Sequence, residues 1–116
     1  MKQSVLHEKA INFAANIVKM YENFLLLKTD NTIAKQLLRS ATSIGANLNE
    51  ATFGNSKADF ISKLHIALKE CSESLYWLEL LKKVNYKIEN IDTLIDECNQ
   101  IKALLIKSIN TSKANN

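Results

Sequence analysis

A chain of 116 residues, 47% of them hydrophobic, is sized for one domain (1–116) with a real core. Fifteen Lys and Arg against twelve Asp and Glu leave a formal charge of +3, which excludes a protein whose whole surface is given to nucleic acid and makes any anion site a patch. No apolar run approaches the roughly 20 residues of a membrane span, "MKQSVLHEKA" lacks a signal peptide's apolar core and cleavage site, and two cysteines make a poor disulfide framework, so a soluble, cytoplasmic protein with reduced thiols and no membrane contact is expected.

The absence of proline and a total of only two glycines leave long stretches free to be helical. Phe13, Ile17, Met20, Phe24 and Leu27 recur at three- and four-residue steps, with Ile11, Ala14, Val18, Tyr21 and Leu25 widening the stripe; this predicts a first helix over about 4–28. "KTDN" breaks it. Asp30 or Asn31 can cap a second helix, about 32–53, carrying Ile33, Leu37, Ile44, Leu48 and Ala51 and stopped by Gly54. "SKAD" has the form of a capping box and opens a third helix, about 57–83, on Phe60, Leu64, Ala67, Cys71, Leu75, Leu78 and Leu81. Asn90 can cap a fourth, about 91–111, with Ile91, Leu94, Ile95, Cys98, Ile101, Leu105 and Ile109 inward. Short connections force neighbouring helices antiparallel, so the fold expected is all-α, an up-down-up-down four-helix bundle.

Catalytic and metal patterns are missing. A di-iron carboxylate bundle needs Glu-x-x-His on two helices, and neither His7 nor His65 stands three residues after a Glu. Glu70 and Glu73, in "ECSE", place two carboxylates one turn apart; general acid–base work would need a cleft and a perturbed pair, and the simpler reading is a solvated face or pairing with Lys69 and Arg39. Cys71 and Cys98 lie on apolar stripes and read as small hydrophobes. Tyr76 and Trp77 could stack on bases, but one tryptophan without interleaved arginine suits a helix seam or an interface better. No phosphate loop or Ser-His-Asp set is present; no cofactor, no metal and no enzymatic activity are expected.

The lysines are scattered. Residues 1–28 carry four Lys against two Glu and residues 56–84 five Lys against four acids, while the other two segments balance. Basic surface is therefore expected on helices one and three, with Arg39, Lys57, Lys63 and Lys69 as candidate phosphate contacts and a solvated helical face as the plainer alternative.

The stretch "RSATSIGANLNEATFG" is unusual for a helix. Ser40, Ala41, Ser43, Gly45 and Ala46 are small, and Gly45 costs about 1 kcal/mol relative to alanine, which close packing by a neighbour in the bundle or by another subunit would offset. Asn47 and Glu50 lie on a different face from Leu48, placed to hydrogen-bond across a seam, to Arg39 or to the "ECSE" turn. Arg39, Asn47, Glu50, Glu70 and Glu73 are the candidates for a structural polar network.

Residues 36–81 resemble the small bacterial four-helix-bundle proteins that include those encoded in 23S rRNA intervening sequences. The resemblance rests on Arg39-Ser40-Ala41-x-Ser43-Ile44-x-x-Asn47-x-x-Glu50 followed by Leu64-x-Ile66-Ala67-x-x-Glu70-x-x-Glu73. In the family the glutamate equivalent to Glu50 is usually followed by Ala/Gly-Gly; here "EATFG" delays the glycine to Gly54, so the loop is expected to start later. The resemblance implies a ribosomal-protein-like bundle without known enzymatic activity. Through the accessory variability protein of diversity-generating retroelements, a similar protein, it also implies a homopentamer whose basic surface engages RNA or a reverse-transcriptase-like protein. Five copies would carry +15. Two functions are therefore expected as rivals: an RNA-binding oligomeric scaffold, and a protein-binding helical adaptor with no nucleic-acid role.

Overall fold

Local capping chemistry sets the helix boundaries. The computed structural model describes residues 4–115, which form α1 (Val5–Leu25), α2 (Thr32–Thr52), α3 (Lys57–Val84) and α4 (Ile91–Ala114), with no strand among the described residues. Ser4 is extended and its hydroxyl accepts the His7 N–H at 3.2 Å, satisfying one of the donors left free at the start of α1. At the other end α1 stops at Leu25, short of the expected 28. The amides of Leu26, Leu27 and Lys28 each bond back three residues, and Lys28 then adopts φ 54°, so a lysine takes the left-handed place that glycine usually fills.

The next two starts use the expected neighbourhoods. The Asp30 carboxylate accepts the Thr32 N–H at 2.8 Å while Asn31, at the cap position, makes no side-chain cap bond. The Ser56 hydroxyl accepts the Asp59 N–H at 3.1 Å. Between them α2 ends at Thr52, and Gly54 sits where an added Cβ would stand 3.3 Å from the Ala51 carbonyl and 3.4 Å from Asp59 and the Phe60 nitrogen. Glycine is needed there because α3 starts so close, with no positive φ involved. Asn85, at φ 70°, closes α3 by donating its N–H to the Leu81 and Lys82 carbonyls. Asn90 departs from expectation. At φ 55°, outside the extended backbone that a capping residue usually adopts, it makes no side-chain cap bond and only its carbonyl begins α4, accepting from Leu94.

The four helices run up and down into a rod of 50 × 20 × 20 Å, each packed chiefly on its two neighbours around one shared core. Phe13, Ile17, Leu37, Ile44, Leu48, Leu78, Leu81, Leu94, Ile101 and Leu105 are fully buried along its axis. The α2–α3 packing is the most extensive and α1–α4 the least. Of the widened stripe of α1, Ala14 and Tyr21 are half-buried and Tyr21 packs against the core. Ile11, Val18 and Leu25 are exposed, as is Leu27, because the buried face is already filled by Leu6, Ala10, Phe13, Ile17, Met20 and Phe24. Among the described residues no helix is long and apolar enough to cross a membrane.

Candidate functional site

The unusual composition of α2 meets α3 in a polar seam. At its centre Ser40 and Ser74 are fully buried with their hydroxyl oxygens 2.7 Å apart, Ser74 also lying 2.9 Å from the Glu70 carbonyl and Ser40 3.2 Å from that of Leu37. One hydroxyl donates to the other and the second donates to a carbonyl, so neither is left unpaired. Side chains this small let the two backbones approach. Just outside, Arg39 forks onto Glu70 at 3.5 Å and onto Glu73, and Glu73 also accepts the Trp77 indole N–H at 3.1 Å. Trp77 thereby covers this seam, edge-on to Tyr76.

Of the expected polar network, Arg39, Glu70 and Glu73 come together and the other two members lie apart from them. Asn47 donates to the carbonyl of Ser43 on its own helix at 2.9 Å. Glu50 pairs with Lys63 on α3 at 2.8 Å. The reason is distance along α2: eight and eleven residues at ~1.5 Å each put Asn47 and Glu50 about 12 and 16 Å from the level of Arg39. Arg39 and Lys63, two of the four candidate phosphate contacts, thus already hold acids of their own chain, whereas Lys57 and Lys69 are exposed and make no ion pair among the described residues.

The remaining candidates are structural in their surroundings. Cys71 and Cys98 are buried free thiols facing each other across α3 and α4 with sulfurs 3.7 Å apart. The contact with Cys71, with burial behind it, pushes the Cys98 thiol above its ordinary range, the opposite of what activates a nucleophile. His7 ties Ser4 to Thr52, at 2.7 and 3.3 Å, stitching the start of α1 to the end of α2, and His65 is exposed. Among the described residues no three His, Cys, Asp or Glu side chains cluster as metal ligands would.

Gly45 faces α1, but an added Cβ would stand 3.8 Å from that of Ala10, an ordinary contact. Packing within the bundle therefore does not require glycine. The outward residues flanking it on α2, Thr42, Ala46 and Asn49, are short and exposed.

Folding also sorts charge. Cross-helix partners fix the levels, with Asn16 beside Glu97, Ser40 against Ser74 and Cys71 against Cys98. Residues 4–15, 42–70 and 98–115 consequently share one end of the rod, where Lys9, Lys57, Lys63, Lys69, Lys102, Lys107 and Lys113 face four acids, a net of +3. The other end carries seven cations against eight acids, a net of −1. Counting by segment hides this because α4 is neutral in total; Asp92, Asp96 and Glu97 occupy its first half and three lysines its second, the order the helix dipole favours. The separation of acids from lysines along "IDTLIDECNQIKALLIKSINTSK" is the signal that would have found the α4 lysines.

The family model described as 23S rRNA-intervening sequence protein matches residues 2–107. A crystal structure from Bacteroides thetaiotaomicron, of a protein with unknown function from the S23 ribosomal protein family, is 42% identical and superposes with a TM-score of 0.86 over 90% of this chain and 98% of its own. No curated protein shows significant similarity. With a match across nearly the whole bundle and a close structural counterpart, the chain belongs to the 23S rRNA-intervening sequence protein family.

Proposed function

We propose that this protein is a non-catalytic oligomeric scaffold that holds RNA, or a nucleic-acid-handling protein such as a reverse transcriptase, on the basic end of the rod. The observation that carries this reading is the sorting of charge: each end holds seven cations, but only four acids lie among those of the first end against eight at the other, so one end is basic and the other slightly acidic. Lys57, Lys69, Lys107 and Lys113 are exposed there and make no ion pair among the described residues. Assembly, with a homopentamer as the reading to test, would place several such ends together and multiply a modest monomer charge. The short side chains flanking Gly45 support self-association, since another backbone approaching there supplies a reason for glycine that the bundle lacks.

Phosphate contacts make binding salt-dependent and weakly sequence-specific. Titrating structured RNA at several salt concentrations, with light scattering on the same samples, tests both parts. Lys57→Glu combined with Lys107→Glu should weaken RNA binding by at least tenfold at low salt and flatten its salt dependence. Salt-insensitive RNA binding, or none, would remove the RNA reading. The exposed Ile11, Val18 and Leu25, seven residues apart on α1, support the rival reading of a protein-binding adaptor; in that case the two charge reversals leave partner binding unchanged and Val18→Asp abolishes it.

A further inference from the structure

The least closed seam, between α1 and α4, holds a cleft of about 830 Å³ near the acidic end of the rod, where the second half of α1 faces the α3–α4 loop. Met20, Phe24, Leu27 and Ile88 form its apolar floor. Lys19 and Lys87 stand at its rim, exposed and without ion pairs among the described residues. The wall between is rich in amides and includes one carboxylate. Asn23 is exposed, Asn90 has a side chain free of any capping bond, Asn16 spends its N–H₂ on Glu97 and so keeps its oxygen, and Glu89 makes no ion pair among the described residues.

We propose that this cleft binds a nucleotide, with the phosphate between Lys19 and Lys87, the base on the surface of Leu27 and Ile88, and the Asn23 and Asn90 amides and Glu89 meeting its polar edge or ribose hydroxyls. The volume is that of a small-molecule site. An inorganic anion would use the lysines and leave the apolar floor without a role. A fatty acid or other acidic amphiphile would use lysines and floor, but its tail would stay wet in an open cleft and would leave the amides and Glu89 without partners. A nucleobase joins an apolar face to an edge of donors and acceptors, which is the combination the lining offers. The cleft lies toward the opposite end of the rod from the basic end and shares no residue with it.

The test is a titration of the intact protein with AMP, GMP, CMP and UMP, followed by backbone amide NMR, with inorganic phosphate and the nucleosides alongside. At least one nucleotide should shift Asn23, Lys87, Ile88 and Asn90 while leaving Lys57 and Lys107 in place, and should bind at least tenfold more tightly than phosphate. Lys19→Gln with Lys87→Gln, both at the surface and neutral to folding, should weaken it by about tenfold or more. Absence of binding, phosphate reproducing the shifts at equal affinity, or unchanged binding by the double variant would overturn the proposal. A short RNA with a terminal phosphate separates the sources: shifts at the same residues that the mononucleotide displaces identify an RNA end as the ligand, and their absence identifies a free nucleotide. Loss of nucleotide binding with RNA affinity intact at Lys57 and Lys107 would separate this site from the basic end.

Discussion

The α2–α3 and α1–α4 seams are both polar, yet one is closed and the other gapes. Across the first, Ser40 meets Ser74 and the flanking charges pair as Arg39 with Glu70 and Glu73 and as Glu50 with Lys63. Across the second, α1 presents Lys9, Asn12, Asn16, Lys19 and Asn23, of which Lys9 reaches Gln100 at 2.9 Å and Asn16 reaches Glu97 at 3.2 Å, leaving clefts of about 830 and 310 Å³ beside them. Polarity is therefore not what separates two helices in this bundle; the size of the side chains at the centre of the seam is. Two buried hydroxyls satisfy each other and permit near approach, whereas long amides and ammonium groups bridge at a distance and hold the backbones apart.

The largest expected effect comes from making the closed seam resemble the open one. Ser40→Val puts branched methyls where two oxygens now touch, and overpacking of this kind costs about 2 kcal/mol. Ser74 keeps its bond to the Glu70 carbonyl, so the loss reports crowding, not an orphaned hydroxyl. Asn16→Val, in the open seam, should cost under about 0.5 kcal/mol, as a half-exposed site with room around it does. Urea unfolding of both variants checks this. Equal losses would mean that the two seams are equally tight.

Next in size is the ion-pair fork on the edge of the closed seam. Arg39→Ala leaves Glu70 and Glu73 one turn apart without their shared cation. Arg39 is itself half exposed, so solvent screening limits the cost to about 1 kcal/mol. Arg39→Lys should recover less than half, since a single ammonium cannot fork onto two carboxylates. Full recovery by lysine would show that charge alone, without geometry, is what the fork contributes.

The same two seams explain what could be read from the chain beforehand. Bundle topology and nearly every core position follow from the spacing of apolar residues, because burial in a helix is periodic. The fork of Arg39 with Glu70 and Glu73 was foreshadowed because the "ECSE" turn and Arg39 are both amphipathic-face residues of adjacent helices. The role of Ser74 is not legible in the sequence, because a serine on an apolar stripe reveals its partner only when the register between α2 and α3 is known. The α4 lysines were hidden for a related reason: a count along the chain cancels them against acids that folding carries to the opposite end. Helix ends at Lys28 and Asn90 depended on single left-handed residues that are not glycine, where local sequence preference is weakest.

A third contrast sets the inside of the bundle against its outer face. Because a Cβ at position 45 would meet only Ala10, at 3.8 Å, Gly45→Ala should stabilise the isolated bundle by about 0.7 kcal/mol through helix propensity. If another backbone packs on that face, the same methyl should weaken assembly. The two readouts, unfolding of dilute protein and mass by light scattering at higher concentration, are expected to move in opposite directions. A variant more stable in both would relieve α2 of any contact there and undo the self-association reading of its small residues.

The smallest effect lies outside both seams, at the entry to α2, and sets the floor against which they are measured. Hydrogen bonds from Thr32, its side chain first and its backbone N–H second, hold the Asp30 carboxyl below its ordinary value. A carboxyl lowered on folding adds stability above the unfolded-state value, and that stability disappears as the pH falls through the lowered folded value. Asp30→Asn should therefore be slightly less stable than the parent near neutrality and equal to it in acid, the gap closing below the usual carboxylate range. Urea midpoints of the two proteins across that interval check the sign. A gap that stayed constant with pH would assign the cap's contribution to hydrogen-bond geometry, which asparagine alters, and not to the charge on Asp30.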